Sequence, residues 1–293
     1  MGQNMNDIKR RIKSVTSTKQ ITKAMELVAT AKLKRARTKL EKSKPYYNRI
    51  YKSIREIVAF SKGIRHEFLE EREINKTLYI VLTGDRGLAG GYNSNICKIV
   101  EEDVEDKSNI KLMCVGSKGR SYFHKRGYDI AYDMTGVSEA PEYSNARVIG
   151  EKAIEMYCNK EVDEVKLVFT KFISTINYKP IVLDLLPLVI KEKEKLNREV
   201  KTDSEDEIII FRYEPSPEAV LNYLIPKYVN SVIYGASIEA SASEQGSRRV
   251  AMESATDNAE EMIDDLNLLY NRARQASITQ EITEIVSGAD ALE

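Results

Sequence analysis

The most chemistry-like stretch of the sequence is Gly84-Asp85-Arg86-Gly87-Leu88-Ala89-Gly90-Gly91-Tyr92-Asn93, directly after the apolar run Thr77–Leu82. A Gly-rich loop between a strand and a helix can cradle a phosphate with backbone N–H groups and the positive end of the helix. This loop follows neither known phosphate-binding pattern. Its glycines fall at 84, 87, 90 and 91, so G-x-G-x-x-G is absent, and no Gly-Lys-Ser/Thr closes it. Nor does an acid close the next apolar run, Ile110–Val115, which ends on Gly116. The loop therefore reads as a tight structural turn. His66 and His124 are the two histidines, far apart and in no triad or ligand spacing. Cys97, Cys114 and Cys158 form an odd, scattered set without CxxC spacing, which suits small core hydrophobes better than metal or redox chemistry. No nucleophile–base pair stands out, and the reading is of a chain with no catalytic residue, no metal and no cofactor.

The loop lies in a middle region where strands alternate with helices. Strands are expected at Thr77–Leu82, Ile110–Val115, Glu164–Phe172, Lys179–Leu185 and Glu207–Tyr213, with helices at Asn93–Asp106, Gly119–Lys125 and Ala146–Asn159. That alternation implies a small, mostly parallel α/β (Rossmann-like) sheet. Residues 191–206 are too polar for a core and read as a helix end and a solvated loop.

The flanks are different. Residues 3 to 60 hold no glycine and a single proline, Pro45. Ile8, Ile12, Val15, Lys19, Thr22, Glu26, Ala29, Leu33, Ala36 and Leu40 alternate at spacings of four and three, the heptad pattern of a coiled coil. Met252, Ala255, Ala259, Met262, Leu266, Leu269, Ala273 and Ala276 repeat it near the other end. Ser216-Pro217-Glu218 is a helix start, with an N-cap, proline at the first helical position and an acid in the first turn. Pro226 is expected to kink that helix and Gly246 to weaken it. Each helix would run roughly 80–100 Å, far beyond a globular helix, so each needs a partner.

Charge says which partner. The chain carries 45 Lys+Arg and 45 Asp+Glu. The first 60 residues hold about +12 and those from Glu205 onward about −11. The fold expected is α/β: a long antiparallel coiled coil of residues 1–60 and 207–293, the latter including the final strand, and a small α/β domain over 75–206. Counted from helix bases near residues 58 and 216, residue 1 falls near residue 272. Ala273 to Val286 then overhangs with an apolar stripe of Ile278, Ile282, Ile285 and Val286. No apolar run reaches the roughly 18 residues of a membrane span, and residues 1–6 lack the core of a secretory signal.

Those residues resemble a known family. Ile12-Lys13-Ser14-Val15 with Thr18-Lys19-Gln20-Ile21-Thr22-Lys23-Ala24-Met25-Glu26-Leu27-Val28-Ala29 is similar to the γ subunit of the F-type ATP synthase. So are Ala255-Thr256-Asp257-Asn258-Ala259 and the run from Asn271 to Ala289, within which Ile278 to Ala289 is similar to the family's highly specific signature. The resemblance implies a central shaft inside a hexamer of α and β subunits. Its α/β domain would join the ε subunit in gripping a membrane ring of c subunits. Such a chain couples ion flow to ATP synthesis and hydrolysis and helps regulate both, without catalysing either. It implies a peripheral place on the cytoplasmic face of the cell membrane, with membrane contact only through the complex and no nucleic acid. Carried over by motif, Met25, Lys23 and Arg248 would face β. Arg274, Gln275, Thr279 and Glu281 would meet the top of the hexamer, and Tyr213 would belong to the foot facing the c ring. Two other classes stay open on the residues alone. A nucleotide-binding enzyme would bind ATP or GTP as an isolated chain, and a nucleic-acid or anionic-membrane binder would show steep salt dependence.

Overall fold

The computed structural model describes residues 5–60, 66–70, 72–104, 106–175, 177–188 and 213–290. The elements run α1 (Met5–Phe60), β1 (Thr77–Leu82), α2 (Tyr92–Asp103), β2 (Ile110–Val115), α3 (Ser117–His124), β3 (Ile130–Met134), α4 (Tyr143–Cys158), β4 (Glu164–Phe172), β5 (Tyr178–Leu186) and α5 (Pro217–Asp290). The chain divides into two compact units, one of residues 1–31 with 248–293 and the other of residues 32–247. Both α1 and α5 contribute to each unit.

In the larger unit a five-stranded sheet has the order β3-β2-β1-β4-β5. All its pairings are parallel except β4 with β5, which is an antiparallel hairpin. The central strand β1 is buried along its whole length, as expected where helices cover both faces. Its residues divide by the strand period of two. Leu78, Ile80 and Leu82 pack with Ile149, Ala153 and Tyr157 of α4, Ile50, Ile54 and Ile57 of α1, and Leu221, Ile225 and Val229 of α5. Tyr79 and Val81 face the other way, toward Ile96, Cys97 and Val100 of α2 and Phe123 of α3.

Four of the five expected strands and all three short helices are present within a few residues of their expected ends. Residues 191–206, and all of the expected strand Glu207–Tyr213 except Tyr213, lie outside the described residues. Strand β3 was not expected. It is a five-residue edge strand with no fully buried position, so it lacks the apolar run that marks the others. At the start of α5 the Ser216 hydroxyl accepts from the Ala219 N–H at 3.2 Å, as the N-cap reading required. The helix continues as one element through Pro226. Among the described residues, no helix is long and apolar enough to cross a membrane.

Candidate functional site: the paired end helices and the Gly-rich turn

In the smaller unit, α1 and α5 pair antiparallel. Lys19 Nζ lies 2.9 Å from a Glu260 carboxylate oxygen, and the Thr22 and Thr256 hydroxyls sit 2.8 Å apart. Residue numbers on facing positions therefore add to about 278, which sets Ile8 (2% exposed) opposite Tyr270 and the first described residue, Met5, opposite about residue 273. The sequence had placed residue 1 near residue 272. The pairing is shifted by about five residues, or roughly 7 Å along the axis. A register counted from approximate helix bases carries an error of a few residues at the base undiminished to the tip.

On α1 every position of the 4,3 pattern is buried or half-buried, including the polar Lys19, Thr22 and Glu26. On α5 the seam is Met252, Thr256, Ala259, Ile263, Leu266, Tyr270, Ala273 and Ser277, so alternate positions of the expected seam were one residue out. Met262 is 57% exposed and Leu269 43% exposed, while Ile263 and Tyr270 turn inward. Both neighbours are apolar at 262/263 and at 269/270, so a hydrophobic count cannot choose between two seams. The choice made here leaves Met262, Leu268 and Leu269 facing outward.

The candidate contact residues fall on several faces. Lys23 is exposed and ion-paired with Glu26 at 3.0 Å; the hydrogen bond and charge of Glu26, with Glu253 and Asp257 beyond, raise its pKa above the ordinary lysine value. Met25 is 40% exposed and belongs to a stripe with Ile21 and Val28. Two residues apart on a helix, Lys23 and Met25 do not face the same way. Arg248 is buried, at 9% exposure. Arg274, Gln275, Thr279 and Glu281 are all exposed, with the Thr279 hydroxyl donating to the Gln275 carbonyl at 2.9 Å. Ile278, Ile282, Ile285 and Val286 are 49–71% exposed, an apolar stripe with no cover within this unit. Tyr213 belongs to the larger unit, partly buried against its core just before α5.

The Gly-rich turn is held by its own side chains. The Asp85 carboxylate accepts from the Ser117 N–H at 2.9 Å and the Ser138 N–H at 3.1 Å, tying the β1 turn to the start of α3 and to the loop after β3. Burial alone would raise the Asp85 pKa. The backbone N–H groups of Gly136, Ser117 and Ser138 outweigh it and hold the carboxyl below its ordinary value. Asn93 Oδ1 accepts from the Gly84 N–H at 2.8 Å, and the Thr83 hydroxyl accepts from the Gly119 N–H at 2.9 Å. Gly116 has φ +99°, and a Cβ there would collide with the Thr83 carbonyl oxygen, so only glycine fits. Cys97 and Cys114 are buried and free, with thiols pushed up to about 12 chiefly by burial. Among the described residues no cluster of His, Cys, Asp and Glu could hold a metal ion.

The architecture defines a class: α/β proteins whose two terminal helices pair antiparallel and present apolar residues outward. Comparison narrows it. The family described as ATP synthase matches residues 4–292. An ATP synthase gamma chain of Alkaliphilus metalliredigens is 55% identical over 292 residues, covering all of both chains. A sodium ion specific ATP synthase gamma chain of Acetobacterium woodii is 52% identical over 301 residues, again covering all of both. In the central stalk and c-ring structure of the Tetrahymena thermophila mitochondrial ATP synthase, one chain is similar with a TM-score of 0.63 at 25% identity, covering 80% of this chain and 99% of that one. A chain of the Euglena gracilis mitochondrial enzyme shares the fold with a TM-score of 0.71 at 16% identity, covering 98% of this chain and 94% of that one. The chain belongs to the ATP synthase gamma chain family.

Proposed function

We propose that this chain is the central rotor shaft of an F-type ATP synthase. It carries torque between a membrane ring of c subunits and the catalytic β subunits, and so couples ion translocation to ATP synthesis and hydrolysis. The observation that supports this most is the match of residues 4–292, with 55% identity to a gamma chain across the whole length of both proteins. The physical build agrees with the reading. A two-helix unit with a narrow seam and outward apolar residues is suited to be gripped and turned, and the apolar stripe of Ile278, Ile282, Ile285 and Val286 calls for a surrounding wall.

In this reading the chain is a non-catalytic subunit that acts on the β sites by biasing which conformation each adopts. Its partners are the α and β subunits of the hexamer, the ε subunit and the c ring, and its place is peripheral, on the cytoplasmic face of the cell membrane. Lys23, Met25 and Arg248 would serve the middle of the rotor–stator contact. Arg274, Gln275, Thr279 and Glu281 would serve its upper bearing, and Tyr213 the foot toward the c ring. By role, residues 1–60 and 207–293 form the shaft and its base, and 75–206 the body attached to it. Affinity purification of the tagged chain from detergent-solubilised membranes should bring down α, β, ε and c together with ATP hydrolysis. Recovery of the chain without α and β would overturn the proposal.

A further inference from the structure

Open, mostly parallel sheets take ligands in the crevice outside the carboxyl ends of the strands, where the strand order reverses. Here that point lies beside β1, whose chain leaves through α2 to β2 on one side while β4 pairs on the other. The crevice is closed by α5. Around its mouth the Tyr92 hydroxyl donates to the Ala240 carbonyl at 3.1 Å and the Ser247 hydroxyl to the Ala89 carbonyl at 2.7 Å. The Ser243 hydroxyl donates to the Thr170 carbonyl at 3.1 Å. Among the described residues a cavity of about 20 Å³ lies there, lined by Thr83, Tyr92, Ser138, Asn145, Ser241 and Glu244 among others, about the room of one water molecule.

Residues 241–248 of α5 are buried on every side, although the run is Ser-Ala-Ser-Glu-Gln-Gly-Ser-Arg. Within it Glu244 is 1% exposed. A carboxyl group is almost never buried so completely without a specific place to go. Its place is the Gly-rich turn. A Cβ added to Gly84 would lie 2.9 Å from the Glu244 carboxyl carbon and 3.0 Å from its Oε1, with Asn93 Oδ1 at 3.2 Å from the same point. Asn93 stands in the first turn of α2, whose N-cap, Gly91, supplies no side-chain acceptor. The carboxyl group thus lies against the turn that leads from β1 into α2, at the strand end where such a sheet would take an external ligand. The neighbouring helix start, at α3, is likewise met from within the chain, by Asp85.

We propose that Glu244 is the built-in ligand of this crevice: its carboxylate takes the place of a bound anion beside Gly84 and Asn93 and thereby fixes α5 to the β1–α2 turn. Gly84 is glycine because the ligand is already there. Glu244 is then a positioning residue, and the absence of a phosphate-binding pattern in the turn has a physical cause. The inference concerns the joint between a helix and a sheet within one unit and stands whether or not the chain turns inside a complex.

Thermal unfolding of the full chain tests it with four variants. Glu244→Gln keeps the shape and removes the charge, and it should lower the Tm by about 3 °C or more. Gly84→Ala and Glu244→Asp should each lower the Tm, the first by crowding the carboxyl group and the second by withdrawing it. Combined, the added methyl fills the space left by the lost methylene, so the double variant should lose clearly less than the sum of the two single losses. A Glu244→Gln protein that melts with the wild type would overturn the anionic role. Strict additivity of Gly84→Ala with Glu244→Asp would overturn the contact itself.

Discussion

The sheet unit and the helix-pair unit reach stability by opposite routes. In the sheet, β1 is covered from both sides and Leu78, Ile80 and Val81 have no exposed surface. In the helix pair burial is confined to one narrow stripe per helix. Much of that stripe is small or polar, with Ala29 at 1% exposure, Thr22 at 9% and Thr256 at 6%. A thick core holds by volume, whereas a slim one holds by close approach and by the match of two surfaces. The same difference separates what a core must do from what a surface offered to partners must do. The sheet unit hides most of its apolar side chains, while the helix pair leaves Ile21, Met25, Val28, Met262 and Leu269 in the open.

The contrast is sharpened first by opposite substitutions. Ile80→Ala removes volume from the centre of the sheet and should cost about 3 kcal/mol. Ala29→Leu adds volume where the two helices meet and should cost about 2 kcal/mol by forcing them apart. Urea unfolding of each variant checks both. Equal tolerance of Ala29→Leu and a surface substitution would mean that the helices are not in close contact at that level.

A second prediction concerns pH. The folded-state pKa of Asp85 lies below its ordinary value, so its contribution is complete above the usual carboxylate range and is lost as pH falls through the depressed value. Asp85→Asn should therefore cost about 1 kcal/mol near pH 7, after allowance for partial solvent exposure, and progressively less below about pH 4. A constant difference across that range would show that the N–H groups of Ser117 and Ser138, which donate to the Asp85 carboxylate, do not lower its pKa on folding.

The smallest effect discriminates between the two seams. Ile263→Ser should destabilise the helix pair by about 1 kcal/mol, and Met262→Ser by less than about 0.5 kcal/mol. The reverse order would restore the seam first expected. This is also where the sequence was hardest to read. Strand β1 was legible as a short continuous apolar run followed by a Gly-rich turn, and helix α4 by buried residues three and four positions apart. In α5 the pairs Met262/Ile263 and Leu269/Tyr270 offer two seams of similar hydrophobicity, and only the partner helix decides. Strand β3 was missed because an edge strand with half-exposed residues carries little alternation. The Gly-rich turn reads as structural from its lack of a phosphate-binding pattern, but the side chains that hold it were out of reach. Glu244 lies 160 positions further along the chain, within a Ser-rich polar run that reads as surface. The candidate contact residues came from resemblance alone, since nothing in local spacing separates an exposed Gln275 or Glu281 from any other solvated helix residue.

The central claim is that the helix pair turns against the subunits around it, and one measurement addresses it directly. On the proposed placement of Met25 against β, Met25→Cys, at the exposed stripe of α1, is paired in the assembled ATP synthase with a cysteine in the β loop proposed to face it, and turnover is followed through oxidation and reduction. The account predicts that the disulfide abolishes steady-state ATP hydrolysis while nucleotide binding persists, and that reduction restores the rate. Undiminished hydrolysis with the cross-link fully formed would contradict it, because a shaft fixed to its housing cannot transmit rotation.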